Sequence, residues 1–83
     1  MMPTEHMDTM TLAELSQNTP GRITGFTEAG ESLVRLHSMG VIPGAEANVL
    51  RTAPLGDPMQ VRIEGTLLSI RKSDARQIQV ESV

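Results

Sequence analysis

The stretch MQVRIEGTLLSIRK, Met59 to Lys72, decides the fold. Met59, Val61 and Ile63 alternate with Gln60 and Arg62, the period of two that a half-buried strand requires. Glu64-Gly65 follows as a two-residue turn signal. A two-residue turn there pairs Ile63 with Thr66, Val61 with Leu68, and Met59 with Ile70. All six residues then share one face, and Arg62, Leu67, Ser69 and Arg71 share the other. A slip of one residue would turn the apolar set towards water, so the register is specified by the sequence.

Beyond the hairpin, Ser73 or Asp74 is placed to cap a short helical turn over about residues 74–78. The closing strand QIQVESV then directs Ile78 and Val80 inward. Before the hairpin, APLGDP (Ala53 to Pro58) is a loop with two prolines and a glycine. EANVLRT, Glu46 to Thr52, is a strand. Pro43-Gly44 ahead of it suits a type II turn, because glycine accepts the positive φ at the third position.

One helix is expected, over about residues 28–39. Thr27 caps it, with Glu28 and Glu31 in the first turn, where the helix dipole favours negative charge. Ala29, Leu33, Leu36 and Met39 form a narrow apolar stripe, and Glu31 and Arg35 form an i, i+4 pair on the outside. Gly30 weakens the first turn by up to about 1 kcal/mol relative to alanine, so the helix depends on packing. Gly40 is positioned for the left-handed residue after the helix end, with Val41 folding back onto Leu36. The opening MTLAELSQNTPGRITGF reads as a helical turn or short strand, a Pro20-Gly21 turn, and a strand bearing Ile23 and Phe26. There is no internal repeat, and turn signals recur about every ten residues. The sum is a mainly β fold: five strands curled into a small barrel, with one inserted helix and one short helical turn.

The chain has 83 residues, enough for one core. Residues 10–83 form the expected domain, and residues 1–9 a flexible extension. Cysteine is absent and Phe26 is the only aromatic residue. Thiol chemistry, base-stacking platforms and aromatic peptide grooves are thereby excluded. A net charge of −3 argues against nucleic acid. The charge is uneven: residues 1–34 hold five acids and one base, and residues 35–83 five acids and six bases. No apolar run approaches the about 20 residues of a membrane span. The amino terminus lacks the basic and apolar regions of a signal peptide. A cytoplasmic location follows as an expectation.

Catalytic constellations are missing. Neither His6 nor His37 stands at a spacing that makes a base–nucleophile unit, and the glycines form no phosphate loop. The chain is expected not to be an enzyme and to need no cofactor. His37 and His6 are weak metal candidates for Fe²⁺ or Zn²⁺. Met39 lies on a different helix face from His37, so the two cannot chelate together. Glu5, His6 and Asp8 form a patch of weak affinity. Partner binding has better candidates. Leu55 stands at the tip of the loop with Pro54, Gly56 and Asp57, and Leu67 shares the outward hairpin face with Arg62 and Arg71. The alternative is that Leu55 turns inward and plugs the barrel end.

Taken together, TLAEL, a Pro-Gly pair, and RLHSMGVIPGAEANVLRTAPLGDPMQVRIEGTLLSIRKSDARQIQVE resemble the FeoA family over about residues 10 to 81. The most specific features are Met39-Gly40 with Pro43-Gly44, the APLGDP loop, and Leu68-Ser69-Ile70-Arg71-Lys72 ahead of Ala75 and Ile78. The resemblance implies an SH3-like barrel and a cytoplasmic accessory or regulatory role in bacterial ferrous-iron uptake. The implied partner is FeoB, a membrane iron transporter with a GTP-binding domain, which would be the chain's only link to the membrane. Self-association stays open. A different class of reading comes from the related carboxy-terminal barrel of iron-dependent repressors, a small metal-binding sensor or carrier. This chain lacks the repressors' DNA-binding helices.

Overall fold

Alternation in the second half of the chain becomes an antiparallel meander. The computed structural model describes residues 10–27, 31–52 and 55–83. Its elements are β1 (Met10–Thr11), a 3₁₀ turn (Leu12–Glu14), β2 (Pro20–Phe26), α1 (Glu31–Ser38), β3 (Glu46–Thr52), β4 (Met59–Ile63), β5 (Thr66–Ile70), α2 (Lys72–Ala75) and β6 (Ile78–Ser82). All six strands belong to one sheet in the order β1-β6-β2-β3-β4-β5. The two-residue β1 is the addition to the five strands expected.

The β4–β5 register is the one the sequence dictates: Ile63 opposite Thr66, Val61 opposite Leu68, Met59 opposite Ile70. Glu64 and Gly65 have φ of 48° and 87°, the pair of positive values that matches hairpin twist. Met59, Val61, Ile63 and Ile70 are buried, while Thr66 beside the turn is exposed. Two irregularities bend the sheet. Thr24 is an extra residue between Ile23 and Gly25 on β2, and Leu50 another between Val49 and Arg51 on β3. Such bulges increase local twist and let a short sheet curl around one core. That core joins Leu12, Ile23, Val49, Val61, Ile78 and Val80 with Leu36 and Val41.

Pro20-Gly21 does not form the expected turn. The chain reverses at Ser16–Thr19, where the Thr19 N–H donates to the Ser16 carbonyl and Asn18 takes φ of 62°. Asparagine tolerates that left-handed conformation, so it relieves the Pro-Gly pair of the task. Pro20 instead begins β2, where its missing N–H does least harm, and pairs with Asn48. Gly21 is buried beneath Leu15, whose Cδ2 lies 3.0 Å from where a Cβ would stand.

α1 covers residues 31–38 of the expected 28–39, and residues 28–30 lie outside the described part, with Ala29 of the stripe among them. Of the rest of that stripe, Leu36 is buried, Leu33 half-buried and Met39 exposed. The helix ends as predicted: the Val41 N–H donates to the Leu36 carbonyl and the Gly40 N–H to that of His37, both at 3.0 Å, with Gly40 at φ 98°. The Pro43-Gly44 turn also holds. Gly44 has φ of 94°, and the Ala45 N–H closes it on the Ile42 carbonyl at 3.1 Å.

The short carboxy-terminal helix is displaced from its expected place at 74–78. α2 runs Lys72–Ala75, and Ile78 already belongs to β6. Neither Ser73 nor Asp74 is its cap; that position is Arg71, which makes no side-chain capping bond. The first free N–H, on Lys72, donates to Asp57 Oδ1 at 3.0 Å, so a carboxylate from the preceding loop does the capping. No helix among the described residues is long and apolar enough to cross a membrane.

Candidate docking surface

The hairpin's outward face is real, and it is long. Arg62 and Leu67 stand directly opposite each other on β4 and β5 and are both exposed, Leu67 by 55%. Arg71, also exposed, follows four residues later, roughly 13 Å along the strand. The described part of the loop, Leu55 to Pro58, adjoins that second end, because Asp57 accepts the Lys72 N–H. Gly56 lies there too, with Lys72 Nζ 3.3 Å from where its Cβ would stand. Leu55, at 95% exposure, projects into solvent and does not plug the barrel. Leu55, Gly56, Asp57 and Arg71 thus gather at one end of the hairpin and Arg62 with Leu67 at the other. Pro54, the remaining loop candidate, lies outside the described residues, as does His6.

His37 is exposed on α1 and sets its ring edge-on against Phe26, with centroids 5.1 Å apart and planes at 84°. That contact packs the exposed ring on Phe26. Among the described residues no three His, Cys, Asp or Glu side chains gather where they could hold a metal ion.

One part of the surface had no counterpart in the sequence reading. Arg35 does not pair with Glu31 along the helix. Its Nη2 lies 3.3 Å from Asp74 Oδ2, in the only ion pair among the described residues. Asp74 is the one buried charged residue among those described. This pair crosses from α1 to α2 and bounds a groove of 270 Å³ lined by Arg35, Leu36, Met39, Ser69, Ile70, Arg71 and Asp74. The two partners are 39 residues apart in the chain, and no local pattern joins them.

A curled antiparallel sheet in this order, with a helix inserted between its second and third strands, defines a small SH3-like barrel. Residues 10–82 match the FeoA domain family, and the chain belongs to it. Among its relatives is the Fe(2+) transport protein A/Fe(2+) transporter FeoB fusion protein of Porphyromonas gingivalis, 34% identical over 74 residues. That match covers 89% of this chain and 9% of the fusion. The iron(II) transport protein A of Clostridium thermocellum superposes with a TM-score of 0.85 at 38% identity, over 89% of this chain and 46% of that one. The zinc complex of Stenotrophomonas maltophilia FeoA, described as a prokaryotic SH3 domain protein, gives 0.74 at 26% identity, over 87% and 89%.

Proposed function

We propose that the chain is a non-enzymatic accessory protein of bacterial ferrous-iron uptake that docks from the cytoplasm onto the GTP-binding part of an FeoB-type transporter. The observation that carries this reading is the Porphyromonas gingivalis relative, in which an FeoA-like sequence and an FeoB transporter are one polypeptide. A covalent link holds two modules at high effective concentration. Where they are separate chains, a surface must supply the association. The contact assigned here is Leu55, Gly56 and Asp57 of the loop, with Arg62, Leu67 and Arg71 of the hairpin. An exposed leucine beside arginines provides apolar area to bury and charges to orient it.

The test is capture of the transporter from detergent-solubilised membranes by the intact chain and by Leu55→Asp. A charge at the tip of the loop is expected to lower capture at least about tenfold while the circular dichroism spectrum is unchanged. Undiminished capture removes this loop from the interface.

A further inference from the structure

The hairpin register determines where β5 has hydrogen-bonding groups to spare. A two-residue turn makes Ile63–Thr66 a pair that exchanges both ladder bonds, and Val61–Leu68 and Met59–Ile70 repeat that arrangement. Leu67 and Ser69 therefore direct their N–H and C=O groups away from β4. β5 is the last strand of the sheet. Among the described residues no hydrogen bond outside the ladders takes up those four groups.

Sheet edges in soluble proteins are usually guarded by shortness, a charge, a proline or a bulge. β5 lacks the last three: Thr66–Ile70 reads TLLSI, without charge or proline, and its pairing with β4 has no register shift. At Ser69 this open edge leads into the 270 Å³ groove between β5 and α1. Leu36, Met39 and Ile70 give the groove an apolar lining. Its charges are Arg35, Arg71 and Asp74, and Arg35 already answers Asp74. Arg71 is left as a cation without an ion-pair partner among the described residues.

We propose that β5 takes up an extended segment of the transporter's cytoplasmic part as a seventh strand, with an apolar side chain entering the groove and an acidic one meeting Arg71. The proposal rests on the docking reading above and gives it a mode. Main-chain bonds to Leu67 and Ser69 supply affinity, and the groove with Arg71 sets register and choice of sequence. A second copy of this chain is a poorer occupant, because its own β5 has no acid between Thr66 and Arg71 to answer the cation.

Two measurements on the intact chain test this. In the first, the transporter is captured by wild type, Ser69→Pro and Arg71→Glu. Proline at 69 removes an outward N–H that the β4 ladder does not use, and Arg71→Glu checks the same surface without altering the backbone. Each variant is expected to keep its circular dichroism spectrum and to lose at least tenfold in capture. Undiminished capture by both folded variants overturns strand addition and takes Arg71 out of the docking contact, while docking through the loop stands. In the second, the ¹⁵N-labelled chain is titrated with an acetylated heptapeptide alternating valine with aspartate and glutamate. Slowed hydrogen exchange at the Leu67 and Ser69 amides, absent with a lysine-substituted peptide, supports the proposal. Protection elsewhere, equal protection by the lysine peptide, or concentration-dependent protection without peptide overturns it, the last by assigning the edge to a second copy. If wild type captures no transporter, the docking reading fails; peptide protection at Leu67 and Ser69 still supports β5 as an acidic-strand site.

Discussion

Arg35 Nη2 sits 3.3 Å from Asp74 Oδ2, with the arginine side chain 54% exposed and the aspartate 11%. The contact joins an eight-residue helix, which buries Leu36, to the far end of the chain. Because the arginine is largely in water, the pair itself contributes little; the cost of breaking it comes from the carboxylate left behind. Arg35→Ala is expected to destabilise the fold by about 1 kcal/mol, a fall in Tm of about 4–8 °C for a chain of this size. Thermal unfolding followed by circular dichroism measures it.

Gly40 ends α1 at φ 98°. Alanine there has open space around its Cβ and is opposed only by the backbone conformation. Gly40→Ala is expected to cost about 1–2 kcal/mol, and Gly40→Asn clearly less, in urea unfolding. Equal losses in the two variants would show that something other than left-handed strain acts at this position.

Gly21 tests packing instead. A Cβ would stand 3.0 Å from Leu15 Cδ2 and 3.3 Å from Cδ1, at the far end of a side chain able to shift by a few tenths of an ångström. Gly21→Ala should lose about 1 kcal/mol. Combining it with Leu15→Val should give a double variant more stable than the two single losses added together, the coupling expected of touching residues.

Asp57 accepts the Lys72 N–H at 3.0 Å and stands at the start of α2. Asp57→Ala is expected to lose about 0.5–1.5 kcal/mol, the usual worth of a helix cap. The Lys72 amide should exchange faster with solvent, as hydrogen exchange by NMR would report. An unchanged Lys72 amide would mean that water replaces the carboxylate without loss.

His37 packs edge-on against Phe26. Calorimetric titration of the intact chain with Zn²⁺ or Fe²⁺ is therefore expected to give the same result for wild type and His37→Ala. A sub-micromolar site lost in His37→Ala would turn the reading from docking module to metal sensor.

Features written into neighbouring residues were legible in the sequence. The hairpin register followed from alternation around Glu64-Gly65, the helix end from Gly40 and Val41, and the type II turn from Pro43-Gly44. What escaped depends on residues far apart. Pro20-Gly21 looks like a turn, yet Asn18 takes the reversal because Gly21 is needed beneath Leu15. α2 starts earlier than Ser73 and Asp74 suggest because Asp57 supplies the cap from across the hairpin. The bulges at Thr24 and Leu50 have no local signal, since they answer the curvature of the whole sheet. The candidate surface was half visible: outward side chains could be counted off the strands, but the groove requires Arg35 and Asp74 to meet.

The Asp57–Lys72 bond makes the hairpin a closed ring of chain, fastened at its base. Leu55 is thus two residues from a fixed point, and Arg71 is adjacent to the same one. The two side chains proposed for contact share one anchor, so the backbone at Asp57 and Lys72 is already ordered when a partner arrives. That part of the ordering cost is met before binding, which is the advantage of preorganisation. Cutting that one bond would loosen recognition before it loosened the barrel.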